Sequence, residues 1–158
     1  MKNVKNISDA VLLEATDQLV AQERELLISV LEHLREIERR RLFCDLGYKS
    51  LFEYAVKRLK YSEDQAGRRI AAMRLLKELP EIEEKIEDGS LTLTNIGLAQ
   101  SLFRQEAKSQ PFTLEQKSEL LENLANKSKR EAEQIVMKNS SDPVTLKPTP
   151  IQTWIWLS

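Results

Sequence analysis

The chain has 158 residues, with 24 Lys and Arg against 25 Asp and Glu for a net charge of −1, and 41% of its residues are hydrophobic. That length makes one domain with a real core, not two, and the near-neutral balance excludes a protein basic all over, so any contact with a polyanion must be local. A single cysteine, Cys44, excludes an internal disulfide and suits a reducing cytoplasm, while no signal-peptide core opens the chain and no apolar run reaches membrane-span length.

The elements are helical throughout. A first helical region is expected from about Ser8 to Arg41, with Leu19, Leu26, Leu27, Val30, Leu34 and Ile37 at three-four spacing as its apolar stripe and Thr16-Asp17 as a break. Two short helices follow, about Leu51–Leu59 and Glu63–Leu79, joined at a tight corner. Next come a short acidic helix from Pro80 to Asp88, a helix starting at Thr92 or Thr94, and two more from Thr113 and Ser128. Four matches to Ser/Thr-x-x-Glu/Gln mark starts, at Ser50/Glu53, Ser62/Gln65, Thr113/Gln116 and Ser128/Glu131, because that spacing lets each side chain satisfy a backbone N–H of the first turn. Gly89 stands where a helix end needs positive φ. Helical periodicity stops at Ser140-Ser-Asp-Pro143, and Pro143, Pro148 and Pro150 forbid a continuous helix. The domain is therefore 1–139, with residues 140–158 a non-helical, apolar tail ending in Trp154-Ile-Trp-Leu-Ser158. That tail is either an arm folded back on the helices or a truncated linker.

Charge is segregated along the chain. Residues 35–74 carry a net +5 and residues 75–89 a net −4, which can make one face attractive to phosphate while the molecule stays neutral. Solvated helix faces with internal ion pairs are the plainer account. On a helical wheel of 63–79, Ala66, Ile70, Met73 and Lys77 share one side, and Asp64, Arg68, Ala71, Ala72 and Leu75 share the opposite one. Arg68 would then project outward among small residues, as a groove-reading helix requires, with Lys57, Arg58 and Lys60 of the preceding corner on phosphates. Glu63 and Asp64 at the leading end repel phosphate, and Leu75 on the outer face invites cover by another helix. A DNA-reading pair and a packed structural pair both fit.

Catalytic sets are missing. His33 is the one histidine, and its neighbours one turn away supply a single carboxylate, Glu36, too few ligands for a metal. Cys44 has no base nearby and reads as a small buried residue. The four glycines are isolated and make no phosphate loop. No cofactor is called for.

The runs Arg40–Arg74, Leu79-Pro-Glu-Ile with Gly89–Ile96, and Asn126–Val136 resemble the helical N-terminal domain of certain bacterial HNH endonuclease proteins. The string Gly47-Tyr-Lys-Ser-Leu-Phe-Glu-Tyr54 is the most specific part, and the likeness covers nearly all of 8–138. A weaker one, through Leu79-Pro80, Gly89–Thr92 and the late Ser-x-x-Glu start, is to the helix-turn-helix of ParB and KorB partition proteins. The resemblance implies a DNA-directed helical module whose recognition helix is Ser62–Lys77. Its relatives' nuclease histidines are missing here, so the resemblance does not carry cleavage over.

The expectation is an all-α single domain of six to eight helices with a central helix-turn-helix at about 50–79. It acts as a non-catalytic DNA-binding module, through Lys57, Arg58, Lys60, Gln65, Arg68 and Arg69, in the cytoplasm, with DNA as partner and a homodimer admitted. The alternatives are a protein–protein interaction domain presenting Leu75, Phe103, Trp154 and Trp156, or a remnant of a truncated nuclease.

Overall fold

The computed structural model describes residues 3–141. The expected tail, with Trp154 and Trp156, lies outside them apart from Ser140 and Ser141. A short 3-10 turn (Val4–Asn6) is followed by eight α-helices: α1 (Asp9–Arg40), α2 (Leu42–Asp45), α3 (Leu51–Lys57), α4 (Glu63–Glu78), α5 (Ile82–Glu87), α6 (Leu93–Glu106), α7 (Leu114–Leu124) and α8 (Lys129–Lys138). The described residues are all-helical, as expected, and contain no strand.

Local chemistry sets the helix starts. Ser62/Gln65, Thr113/Gln116 and Ser128/Glu131 each form the full reciprocal capping box. Ser50 differs. Its hydroxyl accepts from Glu53 N at 3.0 Å, but the Glu53 carboxylate reaches one residue further back, accepting from Lys49 N at 2.6 Å. Between Thr92 and Thr94, it is Thr92 that caps α6, accepting from Asn95 N at 3.2 Å. Gly89 takes φ +83° after α5.

Thr16-Asp17 does not break α1. The Thr16 hydroxyl turns back to donate to Leu12 O at 2.8 Å, which satisfies it inside a continuous helix. The stripe of α1 also needs correction. Its buried residues are Ile28, Leu31 and Leu34, with Leu27, Val30 and Ile37 packed at the edge, whereas Leu19 and Leu26 are exposed. Both precede Ile28, the first buried residue of α1. The four-residue α2, absent from the sequence reading, turns the chain after Arg41 at φ +55° and buries Phe43.

Helix α4 is the centre of the domain. Helices α1, α3 and α6 all pack on it, and α6 in turn carries α7 and α8. Ala66, Gly67, Ile70, Ala71, Ala72, Met73 and Leu75 are buried, so burial runs round most of the helix rather than along one stripe. Small residues make this packing close. A Cβ built on Gly97 of α6 would stand 4.0 Å from Cγ of Arg68, and Gln100 of α6 donates from Nε2 to Ala71 O at 3.3 Å.

Candidate nucleic-acid interface

The predicted basic residues gather at the corner between α3 and α4. Lys57 ends α3, and Arg58, Leu59 and Lys60 turn the chain, with Lys60 at φ +65°. The turn is held from inside, since Tyr61 N donates to Ala55 O at 3.2 Å and Leu59 N to Tyr54 O at 3.2 Å. The side chains of Lys57, Arg58 and Lys60 are left exposed.

These cations are not equivalent. Lys57 Nζ donates to Glu53 Oε1 at 2.7 Å. That bond, helped by the Lys49 amide, holds the Glu53 carboxyl below its usual range, and the same pair raises the Lys57 ammonium. Arg58, Lys60 and Arg68 make no ion pair among the described residues. Arg69 stacks its guanidinium 4.5 Å from the Tyr61 ring centroid and donates from Nη1 to Gln65 O at 3.3 Å. Its Nε is buried without a hydrogen-bond partner, leaving the plane held by the ring rather than by a carboxylate. Gln65 has its Oε1 committed to Ser62 N at 3.0 Å, so only its amide nitrogen remains to meet a ligand.

The outer face expected for α4 is not open. Ala71, Ala72 and Leu75, placed opposite the core by periodicity, are completely buried against α6, and only Asp64 and part of Arg68 on that side meet solvent. A lengthwise fit of α4 into a groove is therefore blocked. At its N-terminal end the accessible part is the first turn, Ser62 to Gln65, with part of Arg68 and Arg69 and the preceding corner; Lys77 and Glu78 are exposed at the other end. The interaction surface proposed through Leu75 and Phe103 is likewise corrected, because both side chains are in the core.

Ion pairs inside residues 35–74 leave their net +5 unchanged and decide which of the cations stay unpaired. Arg39 and Arg40 both bond Glu36 at 2.6 Å, holding its carboxyl down at about 2, with Arg39 the larger cause. Arg74 is tied to Glu38 at 2.9 Å across α1 and α4, and Lys117 to Glu78 at 2.7 Å. Arg35, Arg41 and Lys49 are also exposed and make no ion pair among the described residues, so the α3–α4 corner, with Arg58 and Lys60, is one part of the positive surface that remains.

A second cationic group escaped the sequence reading. Lys127, Lys129 and Arg130, at the α7–α8 corner, are exposed and fixed beside the start of α6. The buried Asn95 donates from Nδ2 to Lys127 O at 2.9 Å and to Leu124 O at 3.3 Å, and Asn126 N donates to Ser90 O at 2.7 Å. Asn95 and Gly97 are two residues apart on α6 and so point to opposite flanks. Arg68 thus lies on one flank of the first turns of α6 and the Lys127–Arg130 corner on the other. The Ser-Lys-Arg-Glu run was visible in sequence only as a helix start.

Among the described residues no group of three His, Cys, Asp or Glu could hold a metal. His33 is exposed, with Nδ1 2.6 Å from Ser29 O, so that nitrogen carries the proton. Cys44, expected to be buried, is exposed, its Sγ 3.7 Å from Arg41 Nη2. It sits on the outer side of the short α2, whose inward place is taken by Phe43. A groove of about 490 Å³ lies between the end of α6, α7 and the end of α8. At its edge Glu106 accepts from Ser141 N at 2.9 Å and Ser141 Oγ at 2.7 Å, with Ser109 and Ser140 adding hydroxyls, and these bonds hold its carboxyl below the usual range. That arrangement is a clamp on the end of α8. No helix of the described residues is long and apolar enough to cross a membrane. The chain matches no family model, no curated protein and no solved structure.

Proposed function

We propose that this chain is a non-catalytic DNA-binding module that meets the duplex end-on, through the α3–α4 corner. The carrying observation is that Arg58, Lys60 and Arg68, beside the acidic first turn of α4, make no ion pair among the described residues, while Arg39, Arg40, Arg74 and Lys117 are each committed to a carboxylate. An unpaired exposed cation gains from a phosphate without first giving up an ion pair. The resemblance of Arg40–Arg74 to the helical N-terminal domain of HNH endonuclease proteins supports the same reading. The α7–α8 corner supplies a second set of cations across the start of α6. Arg68 and that second set lie on opposite flanks of α6, and a helix is about 10–12 Å across, of the order of the roughly 12 Å width of the major groove. In this pose Lys57, Arg58, Lys60, Lys127 and Arg130 meet phosphates, and Arg68, Arg69 and Gln65 lie nearest the base edges.

A shift assay with random duplex DNA over a salt series tests the reading. Five phosphate contacts would give a log–log slope of roughly −4 to −5. Absence of binding at low salt, or binding indifferent to salt, would refute it.

A further inference from the structure

We propose that the N-terminal half of α1 is a self-association arm, which pairs antiparallel with the same segment of a second copy of this chain. Among the described residues, the most N-terminal tertiary hydrogen bond of α1 is from Arg24 Nε to Glu87 O, at 2.8 Å. At about 1.5 Å per residue, Asp9–Val20 is therefore some 18 Å of helix beyond the part tied to the body. A free helical segment of that length is marginal in water and needs packing to persist.

The arm carries two adjacent apolar rows that repeat every seven residues, with Ala15, Gln22 and Ser29 three residues after Leu12, Leu19 and Leu26. From Leu12 the sequence runs in four consecutive heptads that open Leu12-Leu13, Leu19-Val20, Leu26-Leu27 and His33-Leu34. The second member of each opening grades from bare to buried: Leu13 is 68% exposed, Val20 40%, Leu27 half-buried and Leu34 2%. One row thus packs in the core at its C-terminal end and has nothing against it at its N-terminal end. The first members, Leu12, Leu19 and Leu26, are 37%, 64% and 67% exposed and form a second row beside it. An apolar stripe that runs along the helix axis past the core suits another helix lying alongside it.

Charge and register select a second copy and its direction. Residues 6–23 contain Asp9, Glu14, Asp17 and Glu23 and no Lys or Arg. A parallel pair in register would set each of these against itself. The antiparallel pair centred on Leu19 sets Leu12 level with Leu26, Leu19 on its own copy, and Glu14 level with Arg24. The seam is self-complementary about a two-fold axis, as a closed dimer requires. Five aliphatic side chains from each copy, Leu12, Leu13, Leu19, Val20 and Leu26, at on the order of 100 Å² apiece, reach roughly 1,000 Å², the level at which a specific interface begins.

Sedimentation equilibrium of the full chain tests the association. At about 100 μM the expected mass is twice the 18.3 kDa protomer. Leu19→Glu and Leu26→Glu should each weaken association at least ten-fold with helicity unchanged, since both side chains are already in solvent. Direction is read by oxidative crosslinking in a Cys44→Ser background. Leu19→Cys should crosslink to itself and Leu12→Cys should not, while a mixture of Leu12→Cys and Leu26→Cys chains should crosslink. A monomeric wild type, a dimer that survives both Glu variants, or Leu12→Cys crosslinking to itself would overturn the proposal. None of these outcomes depends on DNA binding.

Discussion

Replacing Leu75 by alanine separates the two roles that the outer side of α4 has been given. Were that side a surface kept open for a groove, trimming one leucine would cost almost nothing, because surface changes stay within about 0.5 kcal/mol. The structure places Leu75 at 0% exposure between α4 and α6, beside Ala71 and Ala72 at the same value. The substitution then removes buried methyl groups and leaves a cavity that the packed alanines cannot fill, a change worth about 2–5 kcal/mol. In a domain of this size each kcal/mol moves the melting temperature by about 2–4 °C. A central value near 3 kcal/mol predicts a fall of roughly 6–12 °C in a thermal melt followed by circular dichroism. The control is Leu114→Ala, since Leu114 is 57% exposed and should shift the melt by no more than a degree or two. If Leu75→Ala melts with Leu114→Ala, α6 does not cover α4 in solution and the open-face reading of α4 returns.

Four further outcomes follow from the same geometry. Arg58→Ala and Lys60→Ala should each reduce the salt slope of DNA binding by about 1, and Lys57→Ala by less, because Lys57 is held by Glu53; equal losses from all three would show that the ion pair does not matter. Arg130→Glu should weaken DNA binding with the melting temperature unchanged, and unaltered affinity would remove the α7–α8 corner from the interface. Asn95→Ala leaves the half-buried Lys127 O without its donor and Leu124 O with only the 3.4 Å bond from Lys127 N, and should cost about 1–3 kcal/mol in chemical unfolding. The Glu106 carboxyl is held below its ordinary 4.5, so the stability it contributes is present above that value and lost as pH falls through the lowered one. Glu106→Gln should therefore flatten the fall in melting temperature on acidification, and parallel acid limbs for variant and wild type would refute the clamp.

The elements legible in the sequence were those written in local chemistry. Ser62, Thr113 and Ser128 cap through bonds spanning three residues, and such bonds survive whatever the rest of the chain does. Gly89 is legible for the same reason, since its φ is a property of one residue. Thr16 misled because a threonine can stop a helix or fold its hydroxyl back onto the preceding turn, and the letter does not say which. The α1 stripe misled differently. Leu19 and Leu26 have the spacing of a core face, but whether a face is covered depends on where α4 and α5 begin and end, which α1 does not encode.

The site shows the deeper limit. Periodicity divides a helix into an inside and an outside, and α4 has little outside to find. Its small residues, Ala66, Gly67, Ala71 and Ala72, sit on both sides, which reads in sequence as one core face and one face left bare for a ligand. In the fold the same residues allow helices to approach closely from both sides, and Gln100 reaches across to Ala71 O. Counting charges failed in a parallel way. A tally over 35–74 cannot distinguish Arg74, tied to Glu38 thirty-six positions away, from Lys60, which has no carboxylate to meet. Charge open to a ligand is what remains once the fold has made its pairs. On the reading proposed above, the part of it that meets DNA lies at the α3–α4 corner, with Lys127 and Arg130 brought by a different loop to the other flank of α6.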